Sequence, residues 1–276
     1  MRLRSLLFVP GDQPERFAKA AASGADAVIL DLEDSVGLSA KARARAAVAD
    51  YLAGPRNLPV LVRINPLATA MAAADLAAVL SARPDGIVLP KAEGAASLAA
   101  LIEAMGEGAV PVLPIATETP AAVFQLGTYG AVAKHLLGLT WGAEDLPAAI
   151  GAATSREEDG RYTPPYEMLR GLTLFAAHAA ETAAIETVFP AIRDEAGLAA
   201  YVARARRDGF TGMLALHPAQ IAIINAGFTP TGEEIDEAQR IVDAFAAQPD
   251  AGVLSLDGRM VDRPHLVQAT KLLSRA

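Results

Sequence analysis

Eight short apolar runs recur along the chain, each separated from the next by a longer stretch carrying helical signals. They occupy residues 6–9, 27–34, 59–65, 86–91, 110–118, 137–146, 185–189 and 213–218. The runs are nearly continuous rather than alternating, which is the pattern of strands buried on both faces, as a parallel sheet requires. Strand–helix units in strict alternation predict a TIM (β/α)8 barrel. An open doubly wound sheet seldom needs eight strands and usually carries a Gly-rich phosphate turn after its first, and no GxGxxG or GKS/T motif is present.

The segments between the runs carry their own signals. Asp12 is placed to cap a first helix, with Glu15 reaching back as in a capping box. Tyr166, Leu169, Leu172, Phe175 and Ala176 recur at spacings of three and four, which predicts one apolar helix face. Pro218 and Gly227 bracket the helix after the eighth run. The barrel is therefore expected over residues 1–227, with a C-terminal helical lid or oligomerisation segment over 228–276. That tail reads as a helix capped by Thr231, a hairpin turning at Asp257-Gly258, and a last helix from Asp262-Arg263-Pro264. It is too small to hold a core of its own. Residues 152–165, rich in charge and turn formers, form a long loop after strand six, where such loops often line a barrel active site.

Length and composition narrow the function classes. A chain of 276 residues suits one α/β barrel with an appendage. A formal charge of −8 with no basic cluster argues against nucleic acid. The absence of cysteine excludes disulfides, thiolate metal sites and a cysteine nucleophile. Four scattered histidines show no metal-ligand spacing. The apolar stretch 6–9 is shorter than a signal h-region, and no run approaches a membrane span. A soluble cytoplasmic protein is expected.

Barrel enzymes place their chemistry where strands end. Those ends carry Asp31, Glu33 and Asp34, then Arg63 and Asn65, Lys91 and Glu93, Glu118, Glu144 and Asp145, and His217. Salt bridges closing the mouth, or ordinary helix caps, are the structural alternative for these residues. The functional reading starts from Glu118 and Asp145, on neighbouring strands. Oxygen-only ligands suit Mg²⁺ or Mn²⁺, and Mg²⁺ commonly takes one or two protein carboxylates and leaves its other positions to water and substrate. Arg63 can clamp a carboxylate or stabilise a developing enolate oxygen. Together these parts imply making or breaking a C–C bond next to a carbonyl.

A set of motifs, in order, then resembles a known family: Arg4-Ser-Leu-Leu-Phe-Val-Pro-Gly11, Asp31-Leu-Glu-Asp-Ser-Val36, Arg63-Ile-Asn65, Leu89-Pro-Lys91, Glu118-Thr119, Gly142-Ala-Glu-Asp-Leu146 and His217-Pro218-x-Gln220. The chain is similar to the citrate lyase β-subunit-like (CitE-like) proteins of the HpcH/HpaI aldolase and malyl-CoA lyase superfamily. The resemblance implies a barrel with a C-terminal lid, commonly a trimer, working with Mg²⁺ on a CoA-type thioester. It implies Glu118 and Asp145 as metal ligands, with Glu118, Gly142 and Ala143 beside the substrate and Arg63 binding it and stabilising the thioester enolate. Asp262 matches the acid that relatives supply from an adjacent subunit for proton transfer; a plain helix N-cap before Pro264 is its other reading. Lys19 and Arg16 match a place near CoA phosphates, or are solvated helix charges.

Three departures stand out: Gly212-Met213 where relatives often have Gly-Lys, Glu186 where they often have Asp near the start of strand seven, and a shorter C-terminal region than dedicated malyl-CoA lyases. The expected activity is Mg²⁺-dependent cleavage or formation of malyl-, citramalyl- or citryl-CoA, giving acetyl-CoA and a 2-oxo acid. A CoA-free aldolase, a thioesterase and a subunit that needs an acyl-carrier protein remain alternatives.

Overall fold

The computed structural model describes residues 1–276 and divides into two compact units, Met1–Asn225 and Ala226–Ala276. All eight expected strands are present in the first: β1 (Ser5–Pro10), β2 (Ala27–Asp31), β3 (Val60–Arg63), β4 (Gly86–Leu89), β5 (Val112–Pro114), β6 (Gly138–Thr140), β7 (Ala183–Glu186) and β8 (Gly212–Ala215). Every pair is parallel, in the order β5-β4-β3-β2-β1-β8-β7-β6. Bridges Val112↔Leu136 and Ile115↔Thr140 join the two ends, so the sheet closes into a TIM barrel. Closure removes free edges, and the interior fills with Leu6, Ile29, Leu61, Val88, Leu113, Ile185 and Leu214.

Three local expectations are corrected. Asp12 does not cap the first helix: Pro14–Arg16 is a 3-10 turn preceded by Gln13, and Asp12 instead faces Arg43 at 3.8 Å. The seventh strand runs earlier than expected, so Glu186 is its last residue rather than near its start. On the helix Pro164–Ala179, Tyr166, Leu169 and Ala176 are buried, but Leu172 and Phe175 face outward at 40% and 71% exposure. Arg170 and Thr173 take the inner positions, because each finds a buried hydrogen-bond partner there.

The second unit holds the helix Gly232–Ala247, the antiparallel pair β9 (Val253–Leu256) and β10 (Arg259–Asp262), and the helix Arg263–Leu273. Asp257 and Gly258 both have positive φ, at 51° and 77°, as a type I′ turn demands. Thr231 and Glu234 form a capping box at the first of these helices. No helix in the chain is long and apolar enough to cross a membrane.

Candidate active site

The C-terminal ends of β2 to β6 bring the expected polar residues into one linked set. Asp31 closes β2, is 1% exposed, and accepts from the backbone N–H groups of Glu33 (2.9 Å) and Ser35 (3.1 Å). Arg63 closes β3 and grips Asp31 with two parallel bonds, Nε to Oδ1 and Nη2 to Oδ2, each 2.6 Å. Its guanidinium lies 4.8 Å from the Phe8 ring centre. Arg63 Nη1 also stands 3.0 Å from Glu33 Oε2, an ion pair without hydrogen-bond alignment.

Lys91, just past β4, adopts a left-handed backbone with φ 49°. That conformation costs free energy for a non-glycine residue. Here it accompanies a 2.6 Å bond from the Lys91 backbone N–H to Glu118 Oε2. The Lys91 ammonium donates to Glu33 Oε1 (2.9 Å) and lies 3.2 Å from Asp145 Oδ1. Glu118 and Asp145, from the ends of β5 and β6, thus flank the same lysine.

In this directly contacting set, four carboxylates (Asp31, Glu33, Glu118, Asp145) meet two cations (Arg63, Lys91). The excess of two negative charges is reflected in the proton affinities. Burial pushes Glu118 up to about 8, with Asp145 and Glu33 adding repulsion against the Lys91 contribution. Burial also raises Glu33. Burial opposes charge on Asp31 as well, but Arg63 outweighs it and holds Asp31 below the usual carboxylate range. Lys91 is held above its ordinary value, burial being overcome by Glu33, Glu118 and Asp145.

An adjoining cavity of about 460 Å³ is lined by polar and apolar side chains. Asp31, Asp34, Arg63, Glu118, Glu144 and Asp145 are among the first; Phe8, Ile115, Trp141, Val188, Leu214 and Leu216 are among the second. Gly142 and Ala143 form the strip between Trp141 and the acids. A Cβ on Gly142 would sit 2.9 Å from Glu118 Cγ, so only glycine lets this segment approach Glu118. Thr117 Oγ1 ties the segment down by donating to Gly142 O (2.9 Å) and accepting from Gly142 N (3.1 Å).

Comparison with known proteins identifies the family. The family model described as HpcH/HpaI aldolase/citrate lyase matches residues 4–218. The chain belongs to that family. A citrate lyase subunit beta-like protein of Mycobacterium tuberculosis is 37% identical over 278 residues, covering 98% of this chain and 94% of the relative. A (3S)-malyl-CoA thioesterase of Cereibacter sphaeroides is 36% identical over 286 residues, covering 99% and 94%. The crystal structure of the M. tuberculosis protein CitE in complex with magnesium, acetoacetate and coenzyme A superposes with a TM-score of 0.83. It is 36% identical, with 99% and 97% of the two chains covered.

Within this HpcH/HpaI-family enzyme, the remaining expected residues lie elsewhere. Arg16 and Lys19 are exposed, near the start of the first helical segment after β1. Asp262 caps the helix Arg263–Leu273, its Oδ1 lying 2.5 Å from His265 Nδ1 and accepting from His265 N. The hydrogen bond from His265 lowers the Asp262 proton affinity. Lys41 opens the Ala/Arg-rich helix Lys41–Ala53. It is 7% exposed, and its ammonium donates to Leu32 O, Glu33 O and Asn65 Oδ1. Asn65 in turn donates to Asp75 from both its backbone and its side chain. These bonds fix the β2 and β3 loops from beneath. No sequence signal marks such a lysine, because its partners are mostly backbone carbonyls.

Proposed function

We propose that this chain is a Mg²⁺-dependent carbon–carbon lyase of CoA thioesters, acting on malyl-, citramalyl- or citryl-CoA. The observation that carries the reading is that Glu118 and Asp145 belong to a set whose four carboxylates formally outnumber its two cations, beside a cavity lined in part by apolar side chains. One divalent ion balances that excess. The donors fit Mg²⁺ rather than a metal that needs a full protein cage: no cluster of three or more His, Cys, Asp or Glu side chains is assembled for a metal. Relatives solved with magnesium, and one with coenzyme A as well, support the same assignment.

Glu118 and Asp145 would hold the ion, which when bound polarises oxygens of the substrate as a Lewis acid. Arg63, immobilised by Asp31 and Phe8, presents a fixed positive charge to the enolate oxygen that develops as the C–C bond breaks. Gly142 and Ala143 let the substrate approach the backbone. Asp262, from a neighbouring copy, would transfer the proton that converts the enolate to acetyl-CoA. Arg16 and Lys19 would meet CoA phosphates. An exposed apolar stripe, Met168, Leu172 and Phe175 on one helix, supports a homo-oligomer, read here as a trimer working in the cytoplasm.

The test is a product assay on purified protein with Mg²⁺ and the three esters, following acetyl-CoA, free CoA and 2-oxo acid. Acetyl-CoA and 2-oxo acid appearing together, and lost on chelation, support the lyase. Free CoA without oxo acid makes the chain a thioesterase, the second reading that the Cereibacter relative favours. Turnover only with an acyl-carrier protein, or only of CoA-free aldol substrates, overturns the stand-alone CoA lyase.

A further inference from the structure

A second buried charge cluster lies behind Trp141 and Thr187, and no step proposed above uses it. Glu186, the last residue of β7, is 0% exposed. Its Oε1 accepts from Trp141 Nε1 at 2.5 Å and from the backbone N–H of Thr187 at 2.9 Å. Its Oε2 accepts from Arg170 Nε at 2.6 Å. Arg170 is itself 4% exposed, donates to Asp208 Oδ2 at 2.7 Å, and lies over the Phe210 ring at 4.7 Å. Burial disfavours its charge, yet Glu186 and Asp208 hold its proton affinity above the ordinary value.

The two groups that Glu186 grips on its Oε1 side, Trp141 and Thr187, both line the cavity. Trp141 is the only tryptophan of the chain, and it directly precedes the Gly142–Asp145 strip. Its ring also receives the edge of Tyr162, at 4.9 Å and 62°, from the long loop after β6. Arg156 holds that loop in turn, stacking on the Tyr162 ring at 4.0 Å and donating to its hydroxyl. The indole is therefore pinned at its N–H by β7 and at its ring by the loop; Trp141 is itself 0% exposed, so it backs the cavity through the Gly142–Asp145 strip that follows it. Rotating the indole would remove one of the two donors to the buried Glu186 Oε1.

An ion pair serving stability alone can be replaced by hydrophobic side chains at little cost. This one instead spends its carboxylate on two residues lining the cavity. We propose that Glu186, braced by Arg170, is a positioning residue that sets the orientation of the Trp141 indole and, through it, the place of the Gly142–Asp145 strip that borders the substrate's acyl part. The proposal rests on the reading of this cavity as the acyl-thioester site. Glu186 touches no reacting atom; it acts through Trp141.

The test uses the full-length protein with Mg²⁺, the single variants Glu186→Gln and Trp141→Phe, and their combination. Each single variant is expected to lower kcat about tenfold to 100-fold, the scale of a misplaced reacting group, with KM changed less than about threefold. The double variant is expected to do no worse than the poorer single one, because both changes break the same contact. Time-resolved anisotropy of the single tryptophan should show a fast local motion in Glu186→Gln that the wild type lacks. A Glu186→Gln protein that turns over normally and only melts earlier overturns the proposal, as do losses that multiply. If Glu186→Gln does not fold, Trp141→Phe decides: unchanged kcat overturns the proposal. If the wild type cleaves no ester, the lyase reading fails by itself. Anisotropy then decides alone, and identical decays in wild type and Glu186→Gln overturn the brace.

Discussion

Two charged clusters sit at the same end of the barrel and are built on opposite principles. Around Arg170, three cations (Arg170, Arg204, Arg207) meet three carboxylates (Glu186, Asp208, Glu167), and the other Glu186 bonds go to an indole and a backbone N–H. Around Lys91, carboxylates outnumber cations, Glu118 is pushed up to about 8, and the set opens onto a cavity. A buried charge that is paired and hydrogen-bonded stabilises or positions what surrounds it. A buried carboxyl left without a cation holds its proton in the empty protein and is retained for what it binds when that proton leaves. The first cluster holds the wall; the second holds the chemistry.

The sharpest way to break this contrast is to remove one member of each. Glu118→Ala is expected to lower turnover by about 10³-fold or more, since it deletes half of the metal-holding pair. Mn²⁺ titration followed by electron paramagnetic resonance should show the matching loss of binding. Arg170→Met should instead cost about 3–5 kcal/mol in urea unfolding, because it strands a buried carboxylate. Equal stability losses at both positions would erase the distinction.

Asp262→Asn separates proton transfer from metal holding. It should slow turnover by about 10²–10⁴-fold while Mn²⁺ binding stays within about twofold. Loss of metal binding would show that Asp262 acts on the ion instead.

The pH dependence of stability sharpens the contrast further. The Glu118 carboxyl ordinarily titrates at 4.5 and here at about 8, so the fold favours its protonated form. Its stabilising contribution is complete below 4.5, declines as pH rises, and is gone above about 8. Metal-free wild type should therefore lose stability across that window. Glu118→Gln should lose less, Glu33 alone of the raised pair still titrating, and be more stable at pH 8, by on the order of 2–4 kcal/mol. Equal slopes in chemical unfolding at pH 5, 6.5 and 8 would show that Glu118 is not the strained group. The smallest effect is expected at the surface. Arg16→Ala with Lys19→Ala should raise KM for the CoA ester only about threefold to tenfold, and less at high salt.

The elements that were legible in the sequence were those specified locally. Buried parallel strands need unbroken apolar runs, so all eight could be read, and so could the Asp257-Gly258 turn with both its positive φ angles. Polar residues ending those runs pointed to Arg63, Glu118 and Asp145, all of which line the cavity. The helix Pro164–Ala179 shows where local reading stops. Its apolar spacing suggested that Leu172 and Phe175 face inward, but Arg170 and Thr173 displaced them by finding buried partners. Asp12 likewise preferred Arg43 to a cap.

By itself, then, the sequence determined the (β/α)8 architecture and which residues stand at its mouth, because hydrophobic periodicity and strand ends are properties of neighbours along the chain. Tertiary structure decided who pairs with whom. Asp31 meets Arg63 across 32 positions, Glu118 meets the Lys91 backbone across 27, and Trp141 meets Glu186 across 45. The sign and size of a buried charge's effect depend on partners brought close only by barrel closure. Glu186, held by an arginine, and Glu118, raised to about 8, are therefore written with the same letter.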